Sequence, residues 1–206
     1  MHLTRAKVSK KWPIPRKGTK YVARPFRDIN SGVSVVVAIR DMLKLAKTSR
    51  EVKHMVHNKL IKINDKTVGD IKECVRLFDI MDSDKRYKLI VLPTGRFNFE
   101  ESKNDFILSK VLNKRLVKSG KIQLNLYNGE NVISDKKINV GDSVELDFDC
   151  KIRKVLPLKE GAKILVSSGK NIGRHGTVRF IDGKKVNAVL DNKKEAELDV
   201  RHIFVI

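Results

Sequence analysis

The residues best placed to do chemistry lie near the C-terminal end, in EGAKILVSSGKNIGRHGTVRFIDG, residues 160–183. Glycines at Gly161, Gly169, Gly173, Gly176 and Gly183 are interleaved with Lys163, Lys170, Arg174 and Arg179. Ile164 and Val166 alternate before the middle of this stretch, and Val178 and Phe180 after it, which reads as strand, loop, strand. Glycine lets the backbone turn through positive φ and approach a partner closely. Lys170, Asn171, Arg174 and His175 then project from a tight loop, with backbone N–H groups near Gly169, Gly173 and Gly176 assisting. The chemistry this offers is binding, a grip on a phosphate backbone. A basic hairpin loop with no partner would carry the same residue types, since glycine and lysine are common in turns.

Two further groups of cations point the same way. Residues 1–28 hold Arg5, Lys7, Lys10, Lys11, Arg16, Lys17, Lys20, Arg24 and Arg27 against a single anion, Asp28. Pro13, Pro15 and Pro25 break any helix there, and no apolar periodicity is present. The segment reads as an extended arm that orders on a polyanion. Trp12, Tyr21 and Phe26 are interleaved with its cations. They can stack on unpaired bases, and Trp12 can equally plug the arm onto the neighbouring domain. The third group lies on a helix that Thr48 and Glu51 open as a capping box, whose outer face shows Arg50, Lys53, His54, His57 and Asn58, with Lys59 next to it. Its inner face is Val52, Met55, Val56 and Leu60. His54 and His57 are three apart, but no third ligand lies nearby, so a solvated or RNA-facing role outweighs a metal site.

The elements that must position these groups follow from the same patterns. A first helix spans 34–46 by its apolar spacing, from Val35, Val36 and Ile39 to Met42, Leu43 and Ala46. The capped second helix comes next, then a short hairpin turning at Asn64-Asp65. From about residue 75 the pattern becomes strands, with turns at Pro93-Thr94-Gly95, Ser119-Gly120 and Asn128-Gly129 and a strand after Gly141-Asp142. Strands near 162–167, 176–181, 185–190 and 194–198, with the ending HIFVI, suit a small SH3-like barrel. The expected class is α+β, mostly β. Its parts are a basic arm (1–33), a helix–helix–hairpin RNA-binding domain (34–74), a central antiparallel β domain (75–156) and a C-terminal barrel (157–206).

Composition agrees with a polyanionic partner. The 206 residues carry 44 Lys and Arg against 24 Asp and Glu, a formal charge of +20. The excess is +11 over residues 1–50, +2 over 51–100, zero over 101–150 and +7 over 151–206, so two basic ends flank a near-neutral middle. No apolar run is long enough to span a bilayer, and the N-terminus lacks the apolar core of a signal peptide. Cys74 and Cys150 are far apart and outside any C-x-x-C, which indicates neither a disulfide framework nor a zinc site. A reduced, intracellular setting is expected.

The ordered combination resembles the archaeal and eukaryotic small-subunit ribosomal proteins of the S-four-e family. The resemblance rests on His2-Leu3, Trp12 and Ala23-Arg24-Pro25 in the arm, REVKHMVHNKLIKINDK in the helical module, TGRF at Thr94–Phe97, and GKNIGRHGTV with the ending IFVI. The glycine-rich loop is of the KOW type. Eukaryotic members run on past IFVI, so the likeness is to the archaeal form. The resemblance implies a cytoplasmic component of the small ribosomal subunit that binds its rRNA in the 5′ domain. It implies neighbouring ribosomal proteins as partners, and no cofactor, membrane, small-molecule substrate or enzymatic activity. On this reading the RNA-binding residues are Arg5, Lys7, Lys10, Lys11, Trp12, Arg16, Lys17, Arg24, Arg50, Lys53, His57, Lys59, Lys170, Asn171, Arg174 and His175.

Two alternatives share modules with it. A pseudouridine synthase carries the same helix–helix–hairpin module but needs an aspartate nucleophile in a G-R-L-D-like string. Here Gly95-Arg96-Phe97-Asn98 lacks the carboxylate and Arg76-Leu77-Phe78-Asp79 lacks the glycine. No G-x-S-x-G, Walker or H-E-x-x-H motif is present. A KOW-type transcription elongation factor would account for the C-terminal unit and leave the arm and the basic helix without a role.

Overall fold

The computed structural model describes residues 2–27, 29–117 and 120–206. The chain divides into two compact units, Met1–Asn104 and Asp105–Ile206. The division falls inside the 75–156 stretch that the sequence pattern assigns to one β domain. Strands up to residue 101 pack with the helical module instead. Asp28 and Ser119, an expected arm anion and turn residue, lie outside the described residues.

In the first unit the arm is folded. Strand β1 (Leu3–Thr4) runs into a 3₁₀ turn at Arg5–Lys7, and β1 pairs antiparallel with β2 (Tyr21–Val22). The sequence expectation of an extended arm fails because Leu3, Trp12 and Pro25 find a surface to bury against. Strand β3 (Gly32–Ser34) pairs with β6 (Cys74–Arg76). A Cβ on Gly32 would lie 2.1 Å from the Val75 carbonyl oxygen, so only glycine fits that crossing. Helix α1 (Val35–Val37) continues as a π-helical turn (Ala38–Met42). It ends before the expected residue 46, because Lys44 takes a left-handed conformation at φ +58°. Val35, Val36, Val37, Ala38 and Ile39 are wholly buried. Helix α2 (Ser49–His57) follows directly.

Strands β4 (Lys62–Ile63) and β5 (Lys66–Thr67) form the expected hairpin, and the two turn residues Asn64 and Asp65 have φ of +52° and +62°. With β7 (Ile80–Asp82), β8 (Arg86–Val91) and β9 (Phe97–Glu101) they make a five-stranded antiparallel sheet in the order β5-β4-β7-β8-β9. Strand β8 alternates strictly, with Tyr87, Leu89 and Val91 inward. The expected turn between β8 and β9 closes with the Gly95 N–H donating to the Leu92 oxygen at 2.8 Å.

The second unit is built from two five-stranded antiparallel sheets. The first comprises β10 (Ile107–Leu116), β11 (Ile122–Leu126), β12 (Asn131–Ser134), β13 (Ser143–Leu146) and β14 (Ile152–Leu156), in the order β12-β11-β10-β13-β14. Its core is Val111, Leu124, Leu126, Val132, Ile138, Val144 and Leu146. The second comprises β15 (Lys163–Val166), β16 (His175–Asp182), β17 (Lys185–Leu190), β18 (Glu195–Asp199) and β19 (Ile203–Val205), in the order β18-β17-β16-β15-β19. Ile164, Val166, Val178, Val186, Leu190, Ile203 and Val205 fill its core. Phe180, inward by simple alternation, is half exposed instead. A bulge between Val178 and Phe180 shifts the register by one residue and turns it out.

The two sheets are joined by buried polar contacts. Ser143 Oγ accepts from the Val205 N–H at 3.0 Å, and the Asp142 carboxylate, which also caps its own turn through the Asn139 N–H, accepts from the Leu158 N–H on the connection between the sheets at 2.9 Å. Lys110, only 2 % exposed, donates its ammonium to the Val200 carbonyl, and that ammonium lies 5.8 Å from the Phe204 ring centroid. The Phe204 ring meets Tyr127 edge-on at 5.0 Å. Among the described residues no helix is long and apolar enough to cross a membrane.

Candidate nucleic-acid interface

Arg5 and Trp12 shape the arm from inside. The Arg5 guanidinium donates to the Thr19 oxygen at 2.8 Å, the Pro15 oxygen at 2.7 Å and Thr19 Oγ1 at 3.0 Å, drawing residues 15–19 back onto residue 5. Three of its five donors are engaged within the arm. Trp12 is 3 % exposed, and its Nε1–H reaches the oxygens of Ile29 at 3.1 Å and Gly32 at 3.0 Å. Of the two roles the sequence leaves open for Trp12, the plug is the one observed, and no base can stack on it. Lys11 donates to the Asn30 oxygen at 3.2 Å and sits 5.7 Å from the Phe97 ring centroid, while its own oxygen accepts from the Phe97 N–H at 2.7 Å. Lys7, Lys10, Arg16, Lys17 and Arg24 remain exposed on the loop that these contacts hold.

The second surface is α2. Thr48 Oγ1 accepts from the Glu51 N–H at 3.3 Å, and the Glu51 carboxylate reaches back to the Lys47 N–H at 2.7 Å, a variant of the expected capping box. The Lys47 N–H, and next the Thr48 hydroxyl, hold the Glu51 carboxyl below the usual carboxylate range. Val52 is wholly buried and Val56 is 8 % exposed, whereas Met55 is half-buried and Leu60 is 55 % exposed. Leu60 leaves the expected inner face because Lys59 adopts φ +57° and ends the helix, which puts Ile61 into the core in its place. Arg50, Lys53, His54, His57 and Lys59 are all exposed. Asn58 Nδ2 lies 3.2 Å from His54 Nδ1, and among the described residues no three His, Cys, Asp or Glu side chains are placed to hold a metal.

The third surface is the β15–β16 loop. Gly169 and Gly173 have φ of +91° and +75°, a backbone that other residues rarely adopt. The Gly173 N–H donates to the Val166 oxygen at 2.7 Å, the Arg174 N–H to Asn171 at 3.2 Å, and the His175 N–H to the Asp191 carboxylate at 3.1 Å. These donors close the loop on itself, so the expected backbone contribution at Gly173 is unavailable. Gly176 serves packing: a Cβ there would lie 2.7 Å from the Val189 oxygen of β17. What the loop presents outward is side chains. Lys170 and His175 are exposed, and Asn171 and Arg174 are half-buried. Sequence reading missed Asp191, which lies 16 residues from the His175 N–H it accepts and carries no local signal of that role.

Charge pairing separates these surfaces from several of the sheets' cations. Arg86 pairs with Asp82 at 2.9 Å, Lys85 with Glu101 at 2.6 Å, Lys185 with Glu197 at 2.7 Å and Arg201 with Asp199 at 2.7 Å. Among the described residues no carboxylate pairs with Lys7, Lys10, Arg16, Lys17, Arg24, Arg50, Lys53, Lys59, Lys170 or Arg174. Asp79, the acid of the Arg76–Asp79 string, is 3 % exposed and accepts from the Arg76 N–H and Asn64 Nδ2, each at 2.8 Å. Its carboxylate holds the β6–β7 turn and the Asn64 side chain in place.

Comparison with known proteins places this arrangement in a family. The model of the ribosomal family S4e matches residues 83–152. The small ribosomal subunit protein eS4 of Methanocella arvoryzae is 29% identical over 218 residues, covering 100% of this chain and 93% of that protein. The protein of that name from Archaeoglobus fulgidus is 31% identical, covering 100% of this chain and 90% of its own length. A crystal structure of the 30S ribosomal protein S4e from Thermoplasma acidophilum superposes with a TM-score of 0.74 at 26% identity, covering 87% of this chain and 96% of that one. With relatives this similar over nearly their whole length, the chain belongs to the ribosomal S4e family.

Proposed function

We propose that this chain is a structural constituent of the small ribosomal subunit and binds and stabilises its rRNA, in the 5′ domain. The observation that carries this reading is the set of unpaired cations on the arm, α2 and the β15–β16 loop of a chain in this family. Folded RNA is recognised mostly through shape and backbone, and fixed cations on ordered supports suit that mode. The second sheet of the C-terminal unit is a KOW-type, SH3-like module that carries the glycine-rich loop. The near-neutral surface of residues 101–150 faces neighbouring ribosomal proteins. The protein acts in the cytoplasm within the subunit, by binding alone and without a cofactor.

The loop provides the test. Each cation that displaces a condensed counterion steepens the dependence of log K on log salt by about 0.7–0.9. The variant with Lys170→Gln and Arg174→Gln should therefore bind the 5′ domain of the rRNA with a slope flatter by about 1.5. A salt slope equal to that of the unaltered protein removes the loop from the interface.

A further inference from the structure

With Trp12 withdrawn into the core, the arm still exposes two aromatic side chains, and they stand together. Tyr21 is 51 % exposed on β2 and Phe26 is 65 % exposed just beyond it. Both border one cleft, lined also by His2, Arg24 and Lys72. The cleft is held open by backbone pairing. Tyr21 is in register with Thr4 across β1–β2, and the Phe26 N–H donates to the Lys72 oxygen at 3.0 Å. The His2 ring leans on Tyr21 at 5.3 Å between centroids, tilted by 46°, and the Lys20 ammonium lies 5.5 Å from the Tyr21 centroid. Among the described residues no carboxylate pairs with Lys20, Arg24 or Lys72.

We propose that this cleft is a subsite for an unpaired RNA nucleotide, its base stacked on Tyr21 or Phe26 and its phosphate met by Lys20, Arg24 and Lys72. The inference rests on the rRNA-binding reading and adds to it a place where single-stranded RNA is preferred. Exposed aromatic faces beside unpaired cations are the combination that binds bases without regard to sequence. Bases within a duplex are already stacked and cannot enter, so the occupant is a bulged or looped-out residue. Anionic charge on the occupant is required by the cations, which disfavours a purely apolar protein segment.

The test uses the full chain and two probes: an oligouridylate carrying one 2-aminopurine, and a blunt RNA duplex of equal length. Binding of the single strand should quench the 2-aminopurine through stacking. The double variant Tyr21→Leu/Phe26→Leu keeps apolar bulk and removes the aromatic faces. It should bind the single strand about tenfold more weakly, lose the quenching and bind the duplex as before, with an unchanged melting curve. Tyr21→Phe, which keeps the face, should retain both affinity and quenching. Unquenched binding by the natural protein, or equal losses on both probes in the double variant, overturns the subsite while leaving rRNA binding in place. Binding to neither probe overturns the subsite, and rRNA binding is then judged on the 5′ domain itself, whose loss would overturn the underlying reading. Because the quenching is read on the natural protein, the proposal stays exposed to failure even if the variant misfolds.

Discussion

Trp12→Ala should destabilise the first unit by about 3–5 kcal/mol, the range for removing a buried large aromatic side chain. The indole is 3 % exposed, so its area is returned to water almost in full and a cavity remains. The Ile29 and Gly32 carbonyls, bonded to its Nε1–H at 3.1 and 3.0 Å, lose a donor as well. A loss of this size is a large fraction of the roughly 5–15 kcal/mol that holds a domain together. It should appear as a lower midpoint in denaturant and as faster tryptic cleavage after Lys10, Arg16 and Lys17 than in the natural protein. RNA affinity should fall too, since a released arm must be ordered again on binding. Trp12→Phe restores most of the bulk without the donor and should cost far less. A Trp12→Ala protein as stable as the natural one, but weaker on RNA, would return Trp12 to the interface.

Lys110→Met should change how the stability of the second unit depends on pH. Burial pushes the Lys110 ammonium down from its ordinary 10.5 to about 8, with Asp199 opposing the shift. Below pH 8 the folded and unfolded states both hold the proton and the cost of burying the charge is present in full. Between about 8 and 10.5 the folded state releases its proton while the unfolded state keeps it, so stability rises with pH across that window. The shift corresponds to about 3 kcal/mol, at about 1.4 kcal/mol per pKa unit. Methionine cannot titrate, so the natural protein should gain on the variant by about that amount from pH 8 to 10.5. Denaturant midpoints measured at several pH values give the comparison, and two parallel curves would show that Lys110 does not carry a buried charge. At neutral pH the variant loses the bond to the Val200 oxygen and the contact with the Phe204 ring, and is relieved of the cost of burying a charge.

The sequence disclosed the periodic parts of this protein and hid the parts decided by distant contacts. Thr48 and Glu51 announce α2 because a capping box is local, and Asn64-Asp65 announces its hairpin because both residues tolerate positive φ. Most strands of the second unit follow from alternation, but β14 carries no such signal, and a bulge at Arg179 turns Phe180 outward. The arm is hidden for a different reason. Its proline-rich, basic composition argues against a core of its own, but the surface that buries Trp12 comes from residues 29–32. Arg5 has the look of a phosphate ligand in the sequence, and nothing within a few residues of it shows that Pro15 and Thr19 return to take three of its donors. The split at Asn104 was equally hidden, since β8 and β9 have the same alternation as the strands after them and only pairing with β7 assigns them to the first unit. In the β15–β16 loop the side chains were legible and the backbone was not, because Gly173 and His175 spend their N–H groups on Val166 and Asp191.

Quantitative mass spectrometry of this protein across a sucrose gradient of cell lysate, after a high-salt wash of the ribosomal fractions, tests its place in the subunit most directly. One copy per small subunit, retained through the wash, is the result expected of a protein held by many phosphate contacts on an ordered scaffold. Loss in the wash, or a peak with RNA polymerase or among the free proteins, would contradict an integral place in the subunit.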